Sequence, residues 1–161
     1  MSNFYAGVDV GATTVKIGTF SDKGELIEKW EIPTRKEEQG AHILQDIVDS
    51  LEAKREKCQG NILGIGMGIP GPVTDDGVVH RCTNFGWGVF SVKEKVIEMT
   101  GVGKVRISND ANIAALGEMW KGGGRGHDSI VMVTLGTGVG GGIIQKGRVL
   151  MGSSGAGGEI G

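Results

Sequence analysis

An amide and a carboxylate stand side by side at Asn109 and Asp110, inside Val105-Arg-Ile-Ser-Asn-Asp-Ala-Asn-Ile-Ala-Ala-Leu-Gly-Glu-Met-Trp120. A short strand, Val105 to Ser108, runs there into a helix that starts near Ala111. Ile113, Leu116 and Trp120 recur at i, i+3, i+7, which predicts one side turned to a core. In open α/β sheets, ligands bind just past the carboxyl ends of the strands. A carboxylate at that place lies at the positive end of the helix dipole and is favoured in its ionised form. An ionised, rigidly held Asp is what a general base requires at neutral pH. The plainer alternative is that Asn109 or Asp110 is an N-cap, and the junction taken alone reads more readily that way. Residues elsewhere in the chain shift the balance.

Two glycine turns supply a second chemistry. Asp9-Val-Gly-Ala-Thr-Thr-Val-Lys16 and Leu135-Gly-Thr-Gly-Val-Gly-Gly-Gly142 both read as strand, turn, strand. Such turns point backbone N–H groups into a concavity that accepts anions, and the hydroxyls of Thr13, Thr14 and Thr137 add donors. Asp9, beside the first turn, is placed to hold Mg²⁺ through water, since that ion takes few carboxylates and keeps several waters. Either hairpin alone is an ordinary glycine turn; two of them with an Asp at a strand end form a more specific pattern. Gly66-Met-Gly-Ile-Pro-Gly71 and Gly136-Thr-Gly-Val-Gly-Gly141 also match G-x-G-x-x-G, but neither opens a helix, so the dinucleotide reading fails at both. No G-x-x-x-x-G-K-[ST] is present.

The elements that must position these residues follow in order. Phe4 to Val10, Thr13 to Phe20 and Leu26 to Ile32 alternate as three antiparallel strands joined by turns at Gly11 and Asp22-Lys-Gly24. From Glu38 to about Lys57 the period becomes helical, with Ile43, Leu44, Ile47, Val48 and Leu51 as one stripe. Ile62 to Ile69 is a buried parallel-type strand. Ser91-Val-Lys-Glu94 is a capping box opening a helix to Met99, with Gly101 as its stop. After the central strand and helix, Gly122-Gly-Gly-Arg-Gly126 breaks the chain. Ser129 to Leu135 then reads as another buried strand before the second glycine turn. The order β-β-β-α-β-α-β-α-β-β predicts a mixed sheet, antiparallel at one edge and parallel in its middle, covered by helices.

The bulk numbers narrow the classes. At 161 residues the chain is one domain of ordinary size. Its net charge of −2, from 17 basic and 19 acidic residues, argues against a dedicated nucleic-acid surface. Apolar runs are short and broken by Gly, which predicts no membrane span. The N-terminus lacks a signal-peptide pattern. Cys58 and Cys82 form no C-x-x-C, so neither a disulfide framework nor a zinc site is encoded. A cytoplasmic protein is the simplest expectation. Glycine is the one extreme: 31 residues of 161, against a usual share of about 7%. The Gly-rich Ser153 to Gly161 run is costly to order and an unusual domain end, so the chain reads as part of a longer one.

Four of these stretches carry a family resemblance. Asp9-Val-Gly-Ala-Thr-Thr-Val-Lys, Asn109-Asp-Ala-Asn, Leu135-Gly-Thr-Gly-Val-Gly-Gly-Gly and Gly155-Ala-Gly-Gly-Glu-Ile-Gly resemble, in order and spacing, the ROK family (repressors, open reading frames and sugar kinases), most nearly its bacterial glucokinases. The resemblance implies an actin-like ATPase fold, also described as ribonuclease-H-like. Residues 1–161 would be the N-terminal lobe with the start of the second. The family's C-x-C-G-x-x-G-C zinc motif and C-terminal lobe would lie beyond it, so no zinc ligand is expected here.

The roles implied are specific. Gly11, Ala12, Thr13 and Thr14 would face ATP phosphates, with Asp9 and Lys16 bounding that hairpin. The family more often has a second Gly where Ala12 stands, which narrows the turn. Gly136, Thr137 and Gly138 match the second phosphate motif. Asp110 matches the catalytic base, and Asn109, Glu159 and Asn84 match residues that grip sugar hydroxyls. His42, His80 and His127 match nothing and read as surface residues. The activity implied is transfer of phosphate from ATP, with Mg²⁺, to the 6-hydroxyl of a hexose, glucose first. A kinase for another hexose or N-acyl hexosamine and a non-catalytic sugar-sensing regulator are the alternatives. A DNA-reading regulator would need a helix-turn-helix ahead of the first strand, for which residues 1–3 leave no room. Sugar and ATP are the expected partners, without nucleic acid or membrane, in a homo-oligomer. Residues 1–161 alone are expected to be inactive.

Overall fold

The computed structural model describes residues 3–135, 139–152, 155–158 and 160. Strands β1 (Phe4–Val10), β2 (Thr14–Phe20) and β3 (Leu26–Pro33) form an antiparallel meander. Strands β4 (Ile62–Ile69) and β7 (Val105–Asn109) extend it in parallel, giving the order β3-β2-β1-β4-β7. Between β4 and β7, β5 (Val78–Val79) and β6 (Phe90–Ser91) pair with each other in a small separate sheet. The expected antiparallel edge and parallel middle are both present.

The two faces of the large sheet differ in chemistry. One carries Val8, Val10, Val15, Ile17, Met67, Ile69 and Ile107, all buried. Helix α2 (Ile43–Cys58) covers it with the predicted Ile43, Leu44, Ile47, Val48 and Leu51 stripe. Helix α3 (Val92–Thr100) adds Val92 and Val96. Its start is as expected, with the Ser91 hydroxyl accepting from Glu94 N at 3.2 Å and Gly101 left-handed at the other end. The other face carries Gly7, Asp9, Lys16, Gly18, Gly66 and Gly68. Helix α4 (Asp110–Lys121) leans over it, leaving a groove of about 690 Å³. Ile113, Leu116 and Trp120 line that groove rather than entering a closed core, and Trp120 is 55% exposed. The buried positions of α4 are Asn112 and Ala115.

Two further expectations are corrected. The helix expected from Glu38 to Lys57 breaks in two: α1 (Glu37–Gly40), with left-handed Glu38 and Gln39 inside it, and α2 from Ile43. The cause lies outside the segment. Gly40 has φ +66°, and a Cβ there would stand 2.8 Å from the Trp87 indole nitrogen. That indole donates to the Gly40 carbonyl at 3.2 Å. A tertiary contact therefore decides the helix start, as local periodicity cannot.

The last strands also leave the large sheet. β8 (Ile130–Leu135), β9 (Val139–Gln145) and β10 (Arg148–Val149) form their own antiparallel sheet in the order β10-β9-β8. β8 was expected to be buried, but Val131, Val133 and Leu135 are 67%, 52% and 82% exposed. It pairs only with β9 among the described residues, and the face carrying Val131, Val133 and Leu135 is largely exposed.

Candidate active site

The Asn109–Asp110 junction resolves into two separate jobs. Asn109 is the N-cap of α4: its backbone is extended, and its side-chain oxygen accepts from Asn112 N at 3.1 Å. Its amide nitrogen donates to the Gly71 carbonyl at 3.2 Å, tying the helix start to the loop after β4. Asp110 is the first helical residue, half-buried, with one carboxylate oxygen accepting from Ala111 N at 2.8 Å. Capping therefore does not require the Asp110 carboxylate.

Asp110 faces the first hairpin across one glycine. Asp9 pairs with Lys16 on β2 and with Gly68 on β4. A Cβ at Gly68 would lie 3.4 Å from the Asp110 Cα, so the missing side chain leaves the two carboxylates on one open face. Asp9 has exposed surface, yet the surrounding protein desolvates it enough to push its carboxyl above the usual Asp range. Lys16 opposes that shift and Asp110 adds to it. For an acid whose folded pKa exceeds its unfolded one, stability is greatest below pH about 3.8 and falls as pH rises through the folded pKa. Asp9→Asn is thus expected to melt higher than the parent at pH 7, with the difference vanishing toward pH 3.5, as a thermal-melt series would show. An equal or lower melting temperature at pH 7 would contradict it.

The hairpin itself is closed by backbone contacts. Gly11 N donates to Thr14 O at 3.1 Å, and a Cβ at Gly11 would stand 2.7 Å from that oxygen, so glycine is needed at this position. Ala12 is exposed and does not adopt a left-handed conformation, so it fits the turn without strain. Asp9, the turn and Asp110 all lie beside the carboxyl ends of β1, β4 and β7.

Asn84 stands at the rim of a cavity of about 430 Å³ lined by Pro70, Gly71, Pro72, Arg81, Cys82 and Thr83. The loop that carries it is pinned at its base by the Cys82–Trp87 backbone pair, at 3.1 Å in each direction. Phe85 and Trp87 are buried behind it, in edge contact at 5.1 Å between ring centres. Gly71 lines this cavity and also receives the Asn109 amide, so the structure brings Asn84 and Asn109 to the same backbone segment. Burial pushes the Cys82 thiol up, and the nearby Asp110 charge adds to this against hydrogen bonds from the Phe85 and Asn84 backbone. Burial of this kind disfavours the thiolate.

The second glycine motif is described only in its latter part. Gly136, Thr137 and Gly138, like Glu159, lie outside the described residues. Gly140, Gly141 and Gly142 pack closely in β9. A Cβ at Gly142 would stand 2.6 Å from the Ala111 carbonyl oxygen, and one at Gly141 would stand 2.7 Å from the Gly158 oxygen. Gly142 therefore serves the docking of β9 on the helix that carries Asp110, and Gly141 its packing on the Gly158 segment.

The ROK family profile matches residues 5–161. The chain belongs to the ROK family. It is 47% identical to a glucokinase of Halalkalibacterium halodurans over 98% of this chain and 49% of that protein. It is 32% identical to an N-acetyl-D-glucosamine kinase of Vibrio atlanticus over 98% of this chain and 51% of that protein. The fold superposes on a ROK family glucokinase from Streptomyces griseus, solved in complex with glucose and AMPPNP, with a TM-score of 0.85, 32% identity and coverage of 98% of this chain and 49% of that one. The chain spans about half the length of the curated relatives it matches. The fold is accordingly the actin-like ATPase fold of ROK sugar kinases.

Within this chain, sequence reasoning missed Gly71, whose carbonyl accepts from Asn109 and which lines the same cavity as Asn84. The Gly66–Gly71 stretch fits no dinucleotide motif, yet its position at the end of a buried strand marks a ligand-side loop. Asn112 was also missed. It is buried on α4, its side-chain oxygen has no partner among the described residues, and it lies against Gly158, one residue before Glu159. No periodicity marks such a residue.

Proposed function

We propose that the protein carrying this chain is an ATP-dependent hexose kinase that phosphorylates the 6-hydroxyl of glucose. The observation that carries this reading is the division of labour at the helix start. Asn109 caps the helix, so the Asp110 carboxylate remains available on a face shared with Asp9 and the Gly11–Thr14 turn.

Asp110 accepts the proton of the sugar hydroxyl as that oxygen forms its bond to the γ-phosphorus and the bond to the ADP oxygen breaks. Asn109, with its side-chain oxygen taken by Asn112 N, keeps one amide N–H to donate to the sugar. Asn84 and Glu159 complete the grip and set the line of attack. Backbone N–H groups of the first turn, with Lys16 beside them, hold the phosphates together with the motif residues Gly136, Thr137 and Gly138.

Mg²⁺ fits this corner. Asp9 and Asp110 share one face, the Asp9 carboxylate is both desolvated and repelled by Asp110, and the ion takes few carboxylates with several waters. When bound, it would neutralise charge developing on the transferred phosphoryl group. Asp9 would hold it through water.

An N-acetylglucosamine kinase is the second reading, favoured by the relatives of that name at 32–35% identity. Glucose is preferred because of the 47% identical glucokinase. The test is hexose-dependent ADP release by the intact protein with glucose, mannose, fructose, N-acetylglucosamine and N-acetylmannosamine. Glucose is expected to give the highest kcat/KM. Sugar binding without ADP release would instead identify a sensor, and a preference for an N-acyl sugar would select the second reading.

A further inference from the structure

The first glycine turn is tied down on one side and open on the other. Three of its carbonyls are taken: Thr14 O by Gly11 N at 3.1 Å, Thr13 O by Thr34 N at 2.9 Å and Gly11 O by the Thr34 hydroxyl at 2.8 Å. The N–H groups of Ala12 and Thr13, on exposed residues, find no acceptor among the described residues. In a trans peptide the C=O and the following N–H point in opposite directions. A Gly11 carbonyl held inward by Thr34 therefore forces the Ala12 N–H outward, toward the side where the phosphates are proposed to lie.

Thr34 is itself held from two sides. Pro33, just before it, is the last residue of β3 and pairs with Thr14. Arg35, just after it, donates from Nε to Asp46 on α2 at 2.7 Å and makes a second contact to the same carboxylate. The hydroxyl is thus placed by the sheet and by α2 together, with no need for a ligand to set it.

We propose that Thr34 is a positioning residue for the ATP phosphates, acting through the Gly11–Ala12 peptide without touching the nucleotide. This rests on the phosphate-binding reading of the hairpin given above. Without the hydroxyl, the Gly11 carbonyl loses its partner and the peptide can rotate, taking the Ala12 N–H out of line. Thr34→Val keeps the shape and the backbone N–H but removes that donor, whereas Thr34→Ser keeps it.

The test uses the intact protein with Mg²⁺ and a non-hydrolysable ATP analogue, read by calorimetry, with hexose affinity and melting temperature measured alongside. Thr34→Val is expected to weaken the analogue roughly five- to tenfold, the scale of one hydrogen bond, with hexose affinity unchanged within about twofold. Thr34→Ser should return analogue affinity to within about twofold of the parent. Unchanged analogue affinity in Thr34→Val, or a Ser variant as weak as the Val variant, would overturn the role. So would a Val variant that melts far below the parent and loses both ligands equally, since Thr34 would then be a structural residue only. A parent that binds the analogue and shows the Val/Ser contrast, yet phosphorylates no sugar, would leave this role standing and remove the kinase reading.

Discussion

Asp110→Asn in the intact protein is expected to lower kcat by about 10²–10⁴-fold while sugar affinity stays nearly constant. The structure makes this substitution informative because the two roles of the junction fall on different residues. The cap is Asn109, whose side chain accepts from Asn112 N. An Asn at position 110 can still accept from Ala111 N through its side-chain oxygen, as Asp110 does at 2.8 Å. Helix α4 and its link to Gly71 should therefore survive, and the loss should be confined to proton transfer. A matching loss of melting temperature, or turnover close to that of the parent, would count against Asp110 as the base.

Gly142→Ala is expected to destabilise the fold by about 1–3 kcal/mol, the usual cost of forcing atoms into a packed interface. The added methyl would meet the Ala111 carbonyl oxygen at 2.6 Å and the Ala115 Cβ at 2.7 Å, both fixed parts of α4. The strand would have to move away from the helix whose first residue is Asp110, so activity should fall with stability. Gly66→Ala is the control, because a Cβ there meets nothing within 4 Å. It should stay within about 0.5 kcal/mol of the parent in urea denaturation. Equal effects from the two substitutions would contradict the packing role assigned to β9.

These two positions show where the sequence was legible and where it was not. Strands β1 to β4, the capped helix α3 and the strand–helix junction at Asn109 follow from alternation, caps and turns, all local signals. The assignment of the cap to Asn109 and not Asp110 needed the side-chain geometry, since both residues are good caps. Gly40 ends a helical pattern because Trp87, distant in sequence, packs on it. The apolar run of β8 reads as a buried strand, yet Val131, Val133 and Leu135 lie on a largely exposed face. Gly140 to Gly142 look in sequence like an extension of a phosphate turn, whereas their closeness to α4 and Gly158 assigns them to packing. Thr34 carries no motif at all, and only its hydrogen bonds to Gly11 and Thr13 connect it with the site.

The most direct test of the site is a crystal structure of the intact protein with glucose, Mg²⁺ and a non-hydrolysable ATP analogue. The 6-hydroxyl of glucose is expected within about 2.6–3.2 Å of an Asp110 carboxylate oxygen. Asn109 and Asn84 should contact other hydroxyls, and the Ala12 N–H should point at a phosphate oxygen. A sugar bound away from Asp110, or phosphates that leave the Gly11–Thr14 turn empty, would contradict the account.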